Sequence, residues 1–286
     1  MDKHAIRQFK ALWTRARSRM PSLFFDYDGT LAEIVKKPEL AHIYPGMRGL
    51  LRDFAMYTDL AVISGRYIHD LEGMVGIKHE NISYAGAHGL QIRLKNQAHV
   101  FAAIPLDNER EQIKELSEEL KTRLHGKYKS CEEGAFGVRI EPKIDIVAVH
   151  YREADPAAKG EILAIVDKMI IPYGLLKTLA AKEAVDIRPK ASWNKGDAVE
   201  YFLRQFRHSS LEQFPIYIGD DITDQDAFRK ISKTGIGIYV GRPENKAAAE
   251  FFLDSPREVL EFLYALREEI EKASAEKRWG LAGSIP

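Results

Sequence analysis

The chain has 286 residues, 45% of them hydrophobic and 29% charged, a globular composition long enough for one large domain or two modest ones, each able to bury its own core. Lys plus Arg and Asp plus Glu are equal at 42 each, which excludes a global field steering the protein to nucleic acid or a membrane surface and leaves any anionic ligand to local recognition. Cys131 is the only cysteine, which excludes an intrachain disulfide and a thiolate metal cluster and fits a reducing, cytoplasmic setting.

No apolar run reaches the length of a membrane span. The first twenty residues lack the apolar core of a signal peptide. They are basic, with Ile6, Phe9, Trp13, Ala16 and Met20 at helical spacing; this predicts a helix packed on the domain by one face, with a transit peptide as the alternative. The first third then alternates. PSLFFD predicts a strand, PGMRGLLRDFAMY a helix, DLAVIS a strand, RYIHDLEGMV a helix and NISYAGAHG a strand, the pattern of βαβ units and a parallel sheet. Short continuous apolar runs suit parallel strands, which are buried on both faces.

The alternation breaks after about residue 102. LDNEREQIKELSEELKTRL predicts a long charged helix, and GAFGVRIE and IDIVAVHYR an antiparallel pair of strands. DPAAKGEILAIVDKMI predicts a helix that Asp155 caps and Pro156 opens. LKTLAA and AVDIRP predict another strand pair. The alternation returns with NKGDAVEYFLRQF (helix), FPIYIGD (strand), TDQDAFRKI (helix) and GIGIYV (strand); NKAAAEFF and SPREVLEFLYALREEIEKAS predict closing helices. The expected architecture is therefore an α/β, Rossmann-like parallel-sheet core, residues 1–101 and 186–286, interrupted by an α+β insertion at 102–185.

Two predicted strands end in acids. LFFDYDGT carries Asp26 and Asp28, and YIGDDITDQD carries Asp220, Asp221 and Asp224. Ligands of parallel sheets bind outside the carboxyl ends of the strands. If the two strands are neighbours, five carboxylates crowd one edge and repel unless a cation sits among them; a hard ion such as Mg²⁺ takes oxygen ligands of this kind. Asp-Gly is also a common hairpin turn, but no clear partner strand follows. A calcium loop counted from Asp26 fails at its twelfth position, which is Lys37 rather than Glu. Thr223 can cap a helix with Asp226 in the capping-box position, a structural role for Asp226. Beyond AVIS lie Ser64 and Arg66, and Lys195 stands at a predicted helix start. A hydroxyl, an ammonium and free helix N–H groups suit a phosphoryl group.

The ordered set DYDGT, SGR, NKG and GDDITD resembles the haloacid-dehalogenase-like phosphatase superfamily, in which many members carry a cap domain where the insertion stands here. GAHG at 86–89, IEPKIDIVAVHYR at 140–152, DIRPKASWNKG at 186–196, GDDITDQDAF at 219–228 and the ending VGRPENKAAAEFFLDSPREVLEFL are similar to the trehalose-6-phosphate phosphatases. One position departs: that family usually has Glu where this chain has Asp186, one methylene shorter.

The resemblance and the residue types together imply a Mg²⁺-dependent phosphatase acting on trehalose 6-phosphate. Asp26 would be the nucleophile, forming an aspartyl-phosphate, and Asp28 the general acid and then the base. Asp220 would ligate Mg²⁺ with Asp26 and the backbone carbonyl of Asp28, supported by Asp221 and Asp224. Ser64, Lys195 and Thr30 would serve the phosphoryl group, Thr30 also stabilising the turn. By analogy with similar proteins, Glu141, Lys143 and Asp186 of the cap, with Arg66 and His88 of the core, would contact the sugar; Glu141 and Lys143 could equally be a solvated pair. The expected partner is a small-molecule sugar phosphate, not nucleic acid or a membrane, with no oligomeric state implied. Another sugar-phosphate phosphatase or a phosphomutase shares the same chemistry. A phospho-receiver module and a catalytically silent sugar-phosphate sensor are the readings from other classes.

Overall fold

The computed structural model describes residues 2–35, 37–102, 107–124, 128, 137–142, 146–181, 183–190, 193–206, 212–242 and 248–276. In chain order the elements are α1 (Phe9–Ala16), β1 (Met20–Phe25), α2 (Met47–Tyr57), β2 (Asp59–Ile63), α3 (Ile68–Val75), β3 (Ser83–Gly86), β4 (Gln91–Arg93), β5 (Phe101–Ala102) and α4 (Asp107–Leu124). They continue with β6 (Arg139–Pro142), β7 (Val147–His150), α5 (Lys159–Ile170), β8 (Leu176–Ala181), β9 (Ala184–Pro189), α6 (Lys195–Gln205), β10 (Gln213–Gly219), α7 (Gln225–Ile231), β11 (Ile236–Val240), β12 (Phe251–Leu253) and α8 (Pro256–Ala275). Two compact units result, Met1–Ala103 with Trp193–Pro286, and Ile104–Ser192.

The first unit is built on an eight-stranded sheet in the order β12-β11-β10-β1-β2-β3-β4-β5. From β12 through β3 every pairing is parallel; β4 and β5 add an antiparallel edge. All six residues of β1 are buried, as a central strand covered on both faces requires. Alternate residues serve opposite layers. Leu23 and Phe25 join Val62, Ile216 and Ile218 against Leu12 of α1, Phe54 of α2 and Phe262 of α8. Phe24 joins Ala61, Ile63 and Tyr217 against Phe202 of α6 and Phe228 of α7. Helix α1 is shorter than the spacing predicted, because Met20 already begins β1. It packs by one face, burying Leu12, Trp13 and Ala16, and Phe9 meets Phe262 edge-on at 5.6 Å. Just before it, Ala5 N donates to Phe252 O at 2.9 Å and Phe252 N to Lys3 O at 3.0 Å, so the segment covers the open edge of β12.

The second unit is a four-stranded antiparallel sheet, β6-β7-β9-β8. One face packs Val147, Val149, Val185 and Ile187 on Ile113, Leu116 and Leu120 of α4 and Ile162 and Val166 of α5. The register sets Glu141 opposite Ala148 and Ala148 opposite Asp186, and Arg139 opposite His150. These residues and Arg188 therefore share the other, polar face. Asp155 accepts from Ala157 N at 2.8 Å, the capping role its position predicts.

Three expectations change. Phe251 and Phe252 of the stretch NKAAAEFF, with Leu253 after it, are strand, not helix: the alanines favour a helix, but pairing with β11 decides. The second unit ends at Ser192, so Asp186 lies in it rather than in the first, because β9 pairs with β7 and β8 on both sides. The cap before α7 lies at Asp221, whose N–H donates to Asp224 Oδ2 at 2.9 Å, two residues earlier than the Thr223–Asp226 pairing. Asp226 instead pairs with Arg229 at 2.6 Å. Among the described residues no helix is long and apolar enough to cross a membrane.

Candidate active site

Strands β1 and β10 are parallel neighbours in register, Phe25 opposite Ile218, so both acidic strand ends emerge at one edge. Asp26 N donates to Ile218 O at 2.9 Å, which pins the first carboxylate. Tyr27 is fully buried and donates its hydroxyl to Ala41 O at 2.8 Å. Anchoring the residue between them in the core keeps Asp26 and Asp28 off the apolar layer. Gly29 N donates to Ala32 O at 2.8 Å and Ala32 N to Tyr27 O at 3.0 Å, closing the turn. Gly29 has φ +79°, and a Cβ there would lie 2.0 Å from Asp220 Oδ2. Glycine is thus needed twice, for the left-handed backbone and for the approach of the second strand's carboxylate.

Ligand oxygens of Asp26, Asp220 and Asp224 lie within 4.8 Å of one another. Lys195 Nζ donates to Asp26 Oδ1 at 2.8 Å and to Asp224 Oδ1 at 2.7 Å, and is 2% exposed. Its position follows from the start of α6: Asn194 Oδ1 accepts from Gly196 N at 2.8 Å and Asp197 N at 3.1 Å, and Asp197 Oδ2 accepts from Asn194 N at 3.1 Å. This capping box places Lys195 as the first helical residue. Tyr217, buried in the apolar run of β10, donates to Asp224 Oδ1 at 2.6 Å.

Three carboxylates around one ammonium carry an excess of negative charge. Burial pushes Asp26 up to about 7, against the pull of Lys195 and with the push of Asp224. Burial, then Asp26 and Asp224, push Asp220 up to about 9; among the described residues Asp220 has no ion pair or hydrogen bond. Lys195 is raised above its ordinary range despite burial, because Asp224 and Asp26 flank it. An all-oxygen set whose half-buried Asp220 carboxylate has no partner among the described residues fits a hard divalent cation.

The other expected site residues divide. Asp28 is 40% exposed on its side chain and turns to Arg66, whose Nε and Nη2 donate to it at 2.7 and 2.5 Å, a two-point contact that aims the carboxylate. Arg66 also lies 5.5 Å over the Tyr27 ring. The carboxylates of Asp28 and Asp221 are thus outside the three-acid cluster, engaged by Arg66 and, for Asp221, exposed in the turn before α7. Ser64 is buried, and its Oγ accepts from Arg66 N at 3.1 Å. Thr30 is buried, and its hydroxyl has no hydrogen-bond partner among the described residues. Ala87 and His88 have φ of 50° and 57°, followed by Gly89 at 101°. Three successive residues in the left-handed region cost of order 1–3 kcal/mol for each non-glycine one. Ala87 N to Arg66 O at 2.7 Å and His88 N to Ser64 O at 2.9 Å hold them there. The His88 ring lies against Gly65, where a Cβ would approach Cε1 to 2.7 Å.

In the second unit, Glu141 pairs with His150 at 2.8 Å; Lys143 lies outside the described residues. Asp186 sits on the same polar face as Glu141. Tyr217 was missed in the sequence because it stands inside an apolar strand; the one signal was that a buried tyrosine needs a partner for its hydroxyl.

The parallel sheet with carboxylates at its edge and an inserted α+β unit is the haloacid dehalogenase-like fold. It is matched by the C-terminal domain of a trehalose-6-phosphate phosphatase from C. albicans (TM-score 0.74, 23% identity, 93% of this chain and 99% of that one). A haloacid dehalogenase-like hydrolase from Bacteroides thetaiotaomicron matches it too (TM-score 0.62, 17% identity, 89% and 99%). The trehalose-phosphatase family model matches residues 24–257, and the chain belongs to that family. It is 36% identical over 266 residues to a trehalose-phosphate phosphatase of Mycobacterium bovis, covering 90% of this chain and 63% of the relative's length. It is 30% identical over 277 residues to a probable trehalose-phosphate phosphatase of Oryza sativa, covering 95% and 72%. The chain thus spans less than two thirds of the mycobacterial relative.

Proposed function

We propose that this protein is a Mg²⁺-dependent phosphatase that hydrolyses trehalose 6-phosphate to trehalose and inorganic phosphate through an aspartyl-phosphate on Asp26. The observation that carries the reading is the setting of Asp26: buried at the end of the central strand, bound to Lys195, with the oxygens of Asp220 and Asp224 within 4.8 Å. Family membership supports the choice of sugar. Asp26, Asp220 and Asp224 would hold Mg²⁺, which when bound draws charge from the phosphoryl oxygens.

An oxygen of Asp26 attacks phosphorus while the bond to the sugar oxygen breaks, and Asp28 gives that oxygen its proton. Asp28 then takes a proton from water. The water oxygen attacks phosphorus and the bond to Asp26 breaks, releasing phosphate. Lys195 neutralises the charge gathering beside Asp26, and Arg66 orients Asp28 for both proton transfers. The hydroxyls of Ser64 and Thr30 are proposed phosphoryl contacts. Arg66, His88, Glu141, Lys143 and Asp186 are proposed sugar contacts; the common polar face of Glu141 and Asp186 supports their sharing this task. The proposed compartment is the cytoplasm, supported by the single cysteine.

Phosphate release from a panel of sugar phosphates, with and without Mg²⁺, tests the reading. Trehalose 6-phosphate should be turned over far faster than the rest, only with Mg²⁺, and not by Asp26→Asn. Asp186→Ala should slow the trehalose ester while sparing a small generic phosphate ester. Release that persists in Asp26→Asn, or a flat substrate profile, would sink the proposal.

A further inference from the structure

Among the described residues four non-glycine ones have positive φ, and two of them, Ala87 and His88, stand side by side, with Gly89 extending the run to three. Backbone of this kind persists only where its surroundings over-determine it, and such strain gathers at functional sites. The surroundings press on this turn from two sides. On one side is the loop that carries Arg66. Ala87 N and His88 N donate to Arg66 O and Ser64 O, and a Cβ on Gly86 would lie 2.5 Å from Ile68 N. On the other side is the start of α6, which carries Lys195. A Cβ on Gly89 would lie 3.0 Å from Ala198 Cβ and 3.1 Å from Asn194 O. The turn is therefore a wedge without slack between the segments that bear Arg66 and Lys195.

One side chain ties the wedge to the helix. Trp193 Nε1 donates to Gly89 O at 2.8 Å, and Tyr201 of α6 braces the indole edge-on, the ring centroids 6.4 Å apart. A half-buried tryptophan needs a partner for its N–H, and any carbonyl would meet that need. This carbonyl closes the strained run, and the donor stands one residue before Asn194, whose capping box fixes Lys195. Lys195 in turn holds Asp26. The far side of the wedge meets the loop of Arg66, whose guanidinium holds both oxygens of Asp28. A continuous path of short contacts thus runs from Asp26 to Asp28 by way of Trp193.

We propose that Trp193 is a positioning residue: its indole N–H keeps Arg66, and through it Asp28, in register with Lys195 and Asp26. This rests on the roles proposed above for Asp26 and Asp28. A residue that aims the proton donor matters where the leaving oxygen needs a proton and matters less where it does not.

The test compares two esters at saturating Mg²⁺. Trehalose 6-phosphate has a sugar alkoxide that must be protonated to leave; p-nitrophenyl phosphate has a phenolate that leaves without a proton. The quantity read is kcat/KM, which covers only the steps up to transfer of the phosphoryl group to Asp26. Trp193→Phe keeps a ring and removes the donor. It should lower kcat/KM for the sugar ester about tenfold more than for the aryl ester, less than the roughly 10²–10⁴ that loss of the acid itself costs. Gly89→Ala, which pushes the wedge off α6, should show the same bias. In an Asp28→Asn background Trp193→Phe should change the sugar ester by less than about twofold, because the group it aims is gone. A merely structural role would slow both esters alike and add to Asp28→Asn. Either of those results overturns the proposal, as does a ratio of the two esters that neither variant shifts. Asp28→Asn alone separates this from failure of the underlying reading: if it slows both esters equally, Asp28 is not the acid, and the proposal falls with that assignment.

Discussion

Replacing Gly29 by alanine tests whether the turn after β1 exists to let Asp220 in. The new Cβ would meet Asp220 Oδ2 at 2.0 Å and Cγ at 2.3 Å. Real contacts at such a centre begin near 3.0 Å, so the carboxylate has to retreat by roughly 1 Å, more than a metal–oxygen bond tolerates. Asp220 is short and starts at the end of β10, so it yields by rotating out of the cluster. Alanine at φ +79° costs a further roughly 1–2 kcal/mol in backbone strain, which for a chain of this size lowers the melting temperature by only a few degrees. The two consequences separate by assay. Thermal unfolding without metal should show that modest loss. Titration calorimetry with Mg²⁺ should show affinity reduced by at least about tenfold, the scale on which displaced metal-site groups are felt. The refuting result is an alanine variant that is destabilised as expected yet keeps the wild-type response to Mg²⁺. In that case Gly29 serves the backbone alone, and Asp220 is not placed by its absence of a side chain.

Tyr217→Phe removes the buried donor to Asp224 Oδ1 without changing the shape of the core. Stability should fall by about 1–3 kcal/mol and Mg²⁺ affinity by roughly tenfold to a hundredfold; unchanged values for both would leave the hydroxyl without a role in holding Asp224. The pH dependence follows from Asp26 at about 7 and Asp220 at about 9. Both lie above the ordinary 3.8, so the metal-free fold keeps protons that the unfolded chain has lost. These groups then favour the fold fully below about pH 4 and lose that contribution as pH rises through 7 and 9. A cation must displace the same protons, so calorimetry in buffers of different ionisation enthalpy should register release of about one proton or more per Mg²⁺ at pH 7, fading above pH 9. Binding enthalpies independent of the buffer would contradict this.

The strand ends were legible because parallel sheets state them twice: an apolar run that needs burial on both faces, then acids that cannot enter the core. Asp26 and Asp220 each stood at such a boundary and the sheet order brings them together, while Lys195 stood at a predicted helix start that the capping box at Asn194 places beside them. The short strands β4, β5 and β12 were not legible, since two or three residues carry no period and are made by their neighbours. NKAAAEFF shows the same limit from the other side, because three alanines outweigh two phenylalanines in any local scale while β11 decides the outcome in space.

Spacing also hid the difference between the paired acids. Asp26 and Asp28 are two residues apart in a motif that treats them alike, yet their surroundings are opposite. Asp26 is buried beside a lysine fixed by its own helix cap, and burial raises it. Asp28 stands at the surface in the fork of Arg66, which is itself stacked over the tyrosine between the two acids. Arg66 stood in the sequence as a candidate for the sugar, because a lone arginine beyond a strand says nothing about its partner. The contact to Asp28 gives it a second task in the proposed mechanism, where the two would compete: the same guanidinium cannot keep both donors on Asp28 while turning them to a substrate. A nucleophile needs a fixed place and a group that moves protons needs a carboxylate that can be aimed. In the proposed mechanism those demands fall to different cations, Lys195 locked in the core for the first and Arg66 at the rim for the second.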